Sequence, residues 1–178
     1  TLFLLAVLPG MAAVAASFFL KQKNSPVPQK TVKTSFFDFL QYWKQSPPQY
    51  RKLVGGLLAF ALFNSSDAFI LLKAKQSGLT DSMVIGLYIF YNLIYALCAF
   101  PAGLLADRMG LKSMFLLGLG IFAAVYFGMS FTAAPALYLL LFFFYGCYAA
   151  ATEGIAKAWI SNIAGKQDTA TAIGTYAG

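Results

Sequence analysis

The chain has 178 residues, of which 60% are hydrophobic and only 11% are charged, and its formal net charge is +7. Soluble globular domains carry roughly 25% charged residues, so this chain lacks the polar residues that would cover a water-facing surface. The composition excludes an ordinary soluble domain and indicates an integral membrane protein. The basic excess favours anionic lipid over nucleic acid as a partner, because Lys and Arg lie in the gaps between apolar runs and do not alternate with aromatic residues on one face.

Five apolar stretches are long enough to cross a bilayer as helices. A helix needs about 20 mostly apolar residues to cross about 30 Å of hydrocarbon. A sixth stretch begins near Ala170, and the five complete ones are residues 1–20, 53–72, 83–104, 113–131 and 135–160. The sequence therefore predicts an all-α membrane protein, a multi-pass bundle of five spans and the start of a sixth.

Basic residues are divided unevenly between the connections. When the first, third and fifth connections are assigned to one side, eleven of the thirteen Lys and Arg residues fall on that side. In membrane proteins the cytoplasmic loops carry the excess of Lys and Arg. The sequence therefore predicts a plasma (inner) membrane protein whose loops 21–52, 105–112 and 161–169 are cytoplasmic.

The first loop contains a predicted surface helix. Its segment NSPVPQK, residues 24–30, has the composition of an extended Pro-rich linker. The following SFFDFLQYWKQ has apolar residues at helical spacing, which predicts a short amphipathic helix lying flat at the membrane surface. These residues are Phe36, Phe39, Leu40 and Trp43. An apolar linker without a helix is the alternative.

A polar run interrupts the second span. Asn64 and Asp67 are the two ends of the run Asn-Ser-Ser-Asp. An ionisable group inside a membrane costs about 2.5–3.5 kcal/mol on insertion scales, so we expect Asp67 to face a water-filled cavity. Two roles are open for Asp67. Either it carries a proton or contacts substrate, with Asn64 beside it, or it makes a structural hydrogen bond near the outer surface, with Lys73 as a partner.

The third span carries a polar and aromatic stripe. Tyr88, Tyr91, Asn92 and Tyr95 follow the spacing i, i+3, i+4, i+7 of one helix face. Such a stripe suits the wall of a substrate path, with Tyr91 and Asn92 as candidate contacts. Hydrogen bonding between neighbouring helices explains the stripe equally well.

The connection after the third span reads PAGLLADRMGLKS. We predict a turn of about eight residues that makes the flanking helices antiparallel neighbours. Gly103 is expected to permit the close approach of another helix, and Gly110 to supply a positive φ that ends the turn. Asp107 is placed to accept hydrogen bonds from backbone donors at a helix N-terminus. Arg108 and Lys112 are expected to hold the turn on the cytoplasmic side.

The fifth span combines a ridge of small residues with a pair of opposite charges. Small residues recur at every fourth position, which predicts tight packing against another helix. They are Gly146, Ala150, Gly154 and Ala158. Glu153 and Lys157 lie on the adjoining face, four residues apart, in the order that favours an ion pair. This pair is either a gate near the cytoplasmic end or a static bridge within the helix.

Cys98 and Cys147 both lie inside apolar runs. The chain has no histidine and no C-x-x-C spacing, so nothing completes a metal site around them. We expect two small buried apolar residues. The sequence predicts no metal and no cofactor.

Residues 103–112, GLLADRMGLK, resemble the G-x-L-A-D-R-x-G-R-K signature of the major facilitator superfamily (MFS). Leu111 stands where that signature has a basic residue. Residues 64–79 and 152–159 are similar to segments of a bacterial, efflux-type branch of these transporters. The residues that match the signature turn are Gly103, Asp107, Arg108, Gly110 and Lys112.

The resemblance implies a position within a longer transporter. In that superfamily the signature follows the second helix and, in a fainter copy, the eighth, and a central loop joins two six-helix halves. Residues 1–20 then correspond to helix six and residues 21–52 to the cytoplasmic central loop. Residues 53–178 correspond to the C-terminal bundle, from helix seven to the start of helix eleven. The N-terminal six-helix half is expected to be missing from this chain.

The resemblance also implies a function. It indicates a secondary active transporter that moves a small solute by alternating access about a site near the middle of the membrane. A proton gradient is the expected energy source, for which Asp67 and Glu153 are the candidate titratable groups. An enzyme is disfavoured, because the chain has no histidine and no HExxH or GxSxG motif. The alternative is a non-transporting scaffold or receptor on the same fold. The expected partners are the solute, the lipid bilayer and the missing half.

Overall fold

The structure is a computed structural model that describes residues 38–64, 66–131, 134–165 and 168–177, together with four helical residues near the N-terminus. Those four are Met11, Val14, Ala15 and Phe18. The chain divides into two compact units, Thr1–Val32 and Lys33–Gly178. Apart from those four residues, the predicted first span lies outside the described residues, as does the NSPVPQK linker.

The described part of the second unit consists of seven α-helices, with no strand between them. In chain order they are α1 Asp38–Gln45, α2 Pro48–Phe63, α3 Asp67–Gln76, α4 Asp81–Met109, α5 Leu111–Phe131, α6 Pro135–Ile163 and α7 Thr169–Ala177.

Four helical segments in the described residues are long and apolar enough to cross a membrane. They are Pro48–Gln76, which joins α2 and α3, and then Asp81–Met109, Leu111–Phe131 and Ala136–Ile163. They agree with the second to fifth predicted spans and confirm the all-α, multi-pass class. The second span begins earlier than predicted, because Pro48 occupies a first helical position, where a missing N–H costs nothing.

The second span is two helices. The backbone leaves the helix at Asn64, with φ −77° and ψ 116°, and α3 begins at Asp67. Ser66 caps α3, since its hydroxyl accepts a hydrogen bond from the Ala68 N–H at 3.4 Å. Asn and Ser side chains compete for backbone hydrogen bonds and therefore favour helix ends. The break places the N-terminus of α3, and Asp67 with it, inside the span.

Helix α6 is the centre of the bundle. In the most apolar stretch of each span, 61% of α6 is buried, against 17–28% in the other three. Large apolar side chains on α2, α4 and α5 point outward and stay 71–86% exposed, as contact with lipid requires. They include Leu62, Phe100, Phe127 and Phe131.

Two glycines bring neighbouring helices close to one another. A Cβ added at Gly146 would lie 2.8 Å from the carbonyl oxygen of Tyr91, so α4 passes directly over α6 at this point. A Cβ added at Gly118 would lie 2.6 Å from Thr152 Cγ2, which fixes α5 on the other side of α6.

The predicted small-residue ridge on α6 packs against described neighbours over half of its length. Gly146 and Ala150 pack against neighbours, but Gly154 and Ala158 are exposed within the described structure. Helix α5 packs through Gly118 against Ala151 and Thr152, which lie on a neighbouring face of α6. Towards the end of α6, that face is buried and the ridge is not.

The predicted surface helix is present as α1. The rings of Tyr42 and Trp43 pack against Tyr50, with ring centroids 5.2 and 6.2 Å from it. Tyr50 is fully buried, and its hydroxyl donates to the Ala172 carbonyl at 2.9 Å, which joins α2 to α7. The position of α1 at a membrane surface stays a prediction.

Candidate functional site

Asp67, Tyr91 and Tyr145 meet where α3, α4 and α6 come together. Asp67 lies nine residues before the end of α3, and the two tyrosines lie ten residues after the starts of α4 and α6. Because the segments Pro48–Gln76 and Asp81–Met109 are each 29 residues long, Asp67 lies about a third of the way along its span, on the side of the turn between α3 and α4. Its role as a proton-carrying, substrate-contacting or structural group stays a prediction.

Both oxygens of the Asp67 carboxylate accept a hydrogen bond from a tyrosine. The hydroxyl of Tyr91 donates to Oδ2, and that of Tyr145 donates to Oδ1 at 2.7 Å. Tyr91 and Tyr145 are only 7% and 3% exposed, whereas Asp67 is half-buried and faces an opening. The carboxylate thus joins three helices, α3, α4 and α6.

Asp67 has no basic partner among the described residues. The ion pair in that part of the chain is Lys75–Asp81, at 2.8 Å, which closes the exposed turn between α3 and α4. The suggested contact between Asp67 and Lys73 is therefore not formed. Among the described residues, the Asp67 carboxylate is therefore stabilised by hydroxyl donors and not by a cation.

Protonation of Asp67 would change its hydrogen bonds. An ionised carboxylate only accepts, but a protonated one carries an O–H that must donate. Tyr91 and Tyr145 both donate to Asp67 in the structure, so a proton on the carboxyl group would need an acceptor of its own, either a rotated tyrosine hydroxyl or a group in the cleft.

An aromatic wall surrounds the carboxylate. Ring centroids lie 5.5 Å apart for Tyr88–Tyr91, 5.3 Å for Tyr91–Tyr145 and 5.4 Å for Tyr145–Tyr148. Tyr148 then stacks on Phe122 of α5 at 4.9 Å. The wall runs from the exposed ring of Tyr88 to the far side of α6, with Asp67 at its centre.

Sequence reasoning missed Tyr145 and Tyr148. Both lie on α6, within a stretch of Phe, Leu and Tyr whose apolar character suggests only packing. A signal was available, since Tyr138, Tyr145 and Tyr148 are spaced by seven and three residues and so share a helix face. That spacing did not reveal which partner the face contacts.

Asn64 lies in the walls of two cavities. A cleft of about 660 Å³ opens at Asp67, and its lining also includes Ser66 and Tyr88. A smaller cavity of about 120 Å³ lies between Asn64 and Glu153. The side-chain amide of Asn64 donates to the Tyr148 hydroxyl at 3.3 Å, while its Oδ1 is buried without a partner. Asn64 thus stands between the two candidate carboxylates.

The predicted ion pair between Glu153 and Lys157 is wrong. Both side chains are exposed, and they form no ion pair in the described structure. Glu153 instead lines the small cavity that Asn64, Tyr148 and Tyr176 also border.

The tyrosine stripe of α4 is divided between two tasks. Tyr91 donates a hydrogen bond to Asp67, whereas Tyr95 packs against the hydrophobic core. The amide of Asn92 donates to the Tyr88 carbonyl at 2.8 Å, a bond within its own helix. The stripe therefore serves contacts between helices, and Asn92 does not join the Asp67 cluster.

A family model described as Major Facilitator Superfamily matches residues 1–178, the whole chain. The chain belongs to the major facilitator superfamily. It is also similar to an uncharacterized MFS-type transporter of Methanocaldococcus jannaschii, with 28% identity over 181 residues that cover 98% of this chain. The chain spans 44% of the length of that relative. No solved structure matches the chain.

In this MFS chain the signature turn is shorter than predicted. Helix α4 continues to Met109 and α5 begins at Leu111, so Gly110 alone connects them and the prediction of about eight residues is wrong. Gly110 has φ +88°, which confirms the predicted positive φ. A residue without a Cβ adopts this conformation at little cost, which is what allows so abrupt a reversal.

Other expectations for the signature turn are not met in the described part of the chain. No atom lies within 4 Å of a Cβ built at Gly103, so no helix approaches closely there. Asp107 is exposed and accepts no backbone hydrogen bond, because it still lies within α4, whose last turn offers carbonyls and not free donors. Arg108 and Lys112 are likewise exposed at this end of the bundle.

Replacement of Gly110 by Ala is expected to destabilise the protein by about 1–3 kcal/mol, because a side chain strains the backbone at this φ. Unfolding in detergent, followed by circular dichroism, measures the change. Gly103→Ala, within the preceding helix α4, is the matched control, and its effect should be neutral or stabilising by up to about 1 kcal/mol. Equal losses for the two variants would contradict the assigned conformation of Gly110.

Proposed function

We propose that this chain is part of a secondary active transporter that moves a small solute across the membrane by alternating access and is driven by a proton gradient. The observation that carries the proposal is the Asp67 carboxylate inside the second span, which accepts hydrogen bonds from Tyr91 and Tyr145 and has no basic partner among the described residues. Sites for substrate and coupling ion near the bilayer midplane are typical of transporters built from repeated helix bundles.

In this proposal Asp67 is the proton carrier. When ionised it only accepts, from the two tyrosine hydroxyls, and when protonated it also donates, so that its hydrogen bonds to α4 and α6 change. The two states then favour different packings of α3 against its neighbours. A titratable group that changes a contact between helices is what proton-driven alternating access requires.

The orientation and the larger assembly also belong to the proposal. Loops 21–52, 105–112 and 161–169 lie in the cytoplasm, and the protein lies in the plasma (inner) membrane. Residues 1–20 form the sixth helix of a longer protein, and 53–178 form its C-terminal bundle. The N-terminal six-helix half supplies the other wall of the cavity, and solute leaves the cell by efflux.

Transport by the full-length protein in proteoliposomes tests this proposal. A panel of solutes is added under an imposed pH gradient, and proton movement is followed with a pH-sensitive dye, with and without an uncoupler. We expect at least one solute to cause proton movement that the uncoupler abolishes. Solute binding without movement would instead support the scaffold or receptor alternative.

The two tyrosines should contribute separately to coupling. Tyr91→Phe and Tyr145→Phe each remove one hydroxyl donor to Asp67, a bond to a charged group worth about 1.5–3 kcal/mol, so each variant should lower proton-driven transport about 10- to 100-fold. Tyr138→Phe on the same helix is the control, since its hydroxyl bonds Ser77 and not Asp67. Similar losses in all three variants would contradict a specific role for the pair.

A further inference from the structure

We propose that Cys98 and Cys147 form a two-thiol site for a soft, thiophilic ligand of the class of trivalent arsenicals. Their Sγ atoms lie 3.8 Å apart, although the residues belong to different helices, α4 and α6. Both side chains are half-buried, so the pair is packed yet reachable. They are thus not the two independent, fully buried apolar residues that the sequence suggests.

The backbone holds the two thiols together. Gly146 directly precedes Cys147, and a Cβ added there would lie 2.9 Å from Ile94 Cβ. Cys98 follows Ile94 by one helical turn, on the same side of α4. The close helix approach that needs a glycine is therefore also what brings the sulfur atoms into contact.

The separation of the sulfur atoms fits chelation by one central atom. Two thiolates bound at about 2.3 Å to one tetrahedral centre are about 3.8 Å apart, and a pyramidal trivalent arsenic atom, whose bond angles are smaller, holds them a few tenths of an ångström closer. Soft thiolate ligands select soft ions. The two sulfurs in the structure are 3.8 Å apart, so they need little movement to share one such atom.

The lack of further metal-binding side chains near the two thiols narrows the class of ligand that the site can hold. Among the residues that the structure describes, no three His, Cys, Asp or Glu side chains are grouped to hold a metal ion, so a four-ligand zinc site is not available there. An arsenical of the form R–As takes two thiolates, and the product is uncharged. A neutral product avoids the cost of a charge inside the membrane.

The reaction balances without an oxidant. Phenylarsine oxide forms two As–S bonds, one with each thiol, and its oxygen leaves as water with the two thiol protons. Arsenic stays trivalent, and no electron is transferred. The product joins α4 to α6 through a single arsenic atom.

Phenylarsine oxide itself is the probe, applied to the full-length protein in detergent. Intact mass should show an adduct that survives an excess of 2-mercaptoethanol and is removed by 2,3-dimercaptopropanol, because only a dithiol competes with a chelate. Two thiols should also become protected from maleimide labelling after denaturation. This readout does not depend on transport.

Cys98→Ser and Cys147→Ser are the matched variants, and each keeps the size and polarity of the side chain nearly unchanged. Each should lose the adduct that resists 2-mercaptoethanol, with at least about a 100-fold loss of apparent affinity, since one thiolate cannot chelate. Three results would overturn the proposal: no resistant adduct on the unmodified protein, retention of that adduct in either variant, or protection of a single thiol only.

Discussion

Replacement of Asp67 by Asn is expected to reduce proton-driven transport to the level of protein-free liposomes. The amide has nearly the same shape and can still bond Tyr91 or Tyr145, but it cannot take up a proton. The loss should therefore come from coupling and not from folding. Uncoupler-sensitive solute movement in proteoliposomes measures it, and the unfolding midpoint of the variant verifies that the bundle is intact.

Asp81→Asn is the control for this substitution. Asp81 makes the exposed ion pair with Lys75, and such surface pairs contribute only about 0–1 kcal/mol. Transport by Asp81→Asn should match that of the unmodified protein. If Asp67→Asn also retained full uncoupler-sensitive transport, Asp67 would not be the proton carrier, although a transporter with another coupling group would still be possible.

Replacement of Gly146 by Leu is expected to destabilise the bundle by about 1–3 kcal/mol or more, the usual cost of overpacking. The new side chain would meet the carbonyl oxygen of Tyr91 within 2.8 Å, and backbone cannot move aside as a flexible side chain can. Because α4 must shift, the tyrosine contact with Asp67 should weaken as well. The midpoint of thermal unfolding in detergent measures the loss of stability.

Gly154→Leu is the matched control on the same helix. No atom of the described structure lies within 4 Å of a Cβ at Gly154, so the side chain enters open space. Leu is a better helix former than Gly by somewhat less than about 1 kcal/mol, so this variant should be neutral or slightly more stable. Equal destabilisation by the two substitutions would contradict the packing of α4 on α6 at Gly146.

Much of the fold follows from the sequence by local rules. Apolar runs of sufficient length predict spans whatever their neighbours are, and four of the predicted spans agree with described helices. The positive φ of Gly110 and the interruption after Phe63 could also be predicted from the sequence. Glycine readily adopts positive φ, and the Asn-Ser-Ser-Asp run favours helix ends.

The contacts between helices could not be predicted from the sequence by such local rules. Whether Asp67 meets Tyr145 depends on the rotation of α3 and α6 about their own axes, which tertiary packing sets. Glu153 had a suitable partner on its own helix in Lys157, but the two form no ion pair in the described structure, and Glu153 lines a cavity between helices. The predicted length of the signature turn was wrong for a related reason. Charged residues such as Asp107 are compatible with the last turns of a helix as well as with a loop.

Infrared difference spectroscopy of the full-length protein tests the central claim most directly, namely that Asp67 takes up the coupling proton. Spectra recorded as the pH is lowered should show the C=O stretching band of a newly protonated carboxyl group. We expect Asp67→Asn to remove this band and Asp81→Asn to leave it in place. An unchanged band in Asp67→Asn would contradict the assignment of Asp67 as the group that takes up the coupling proton.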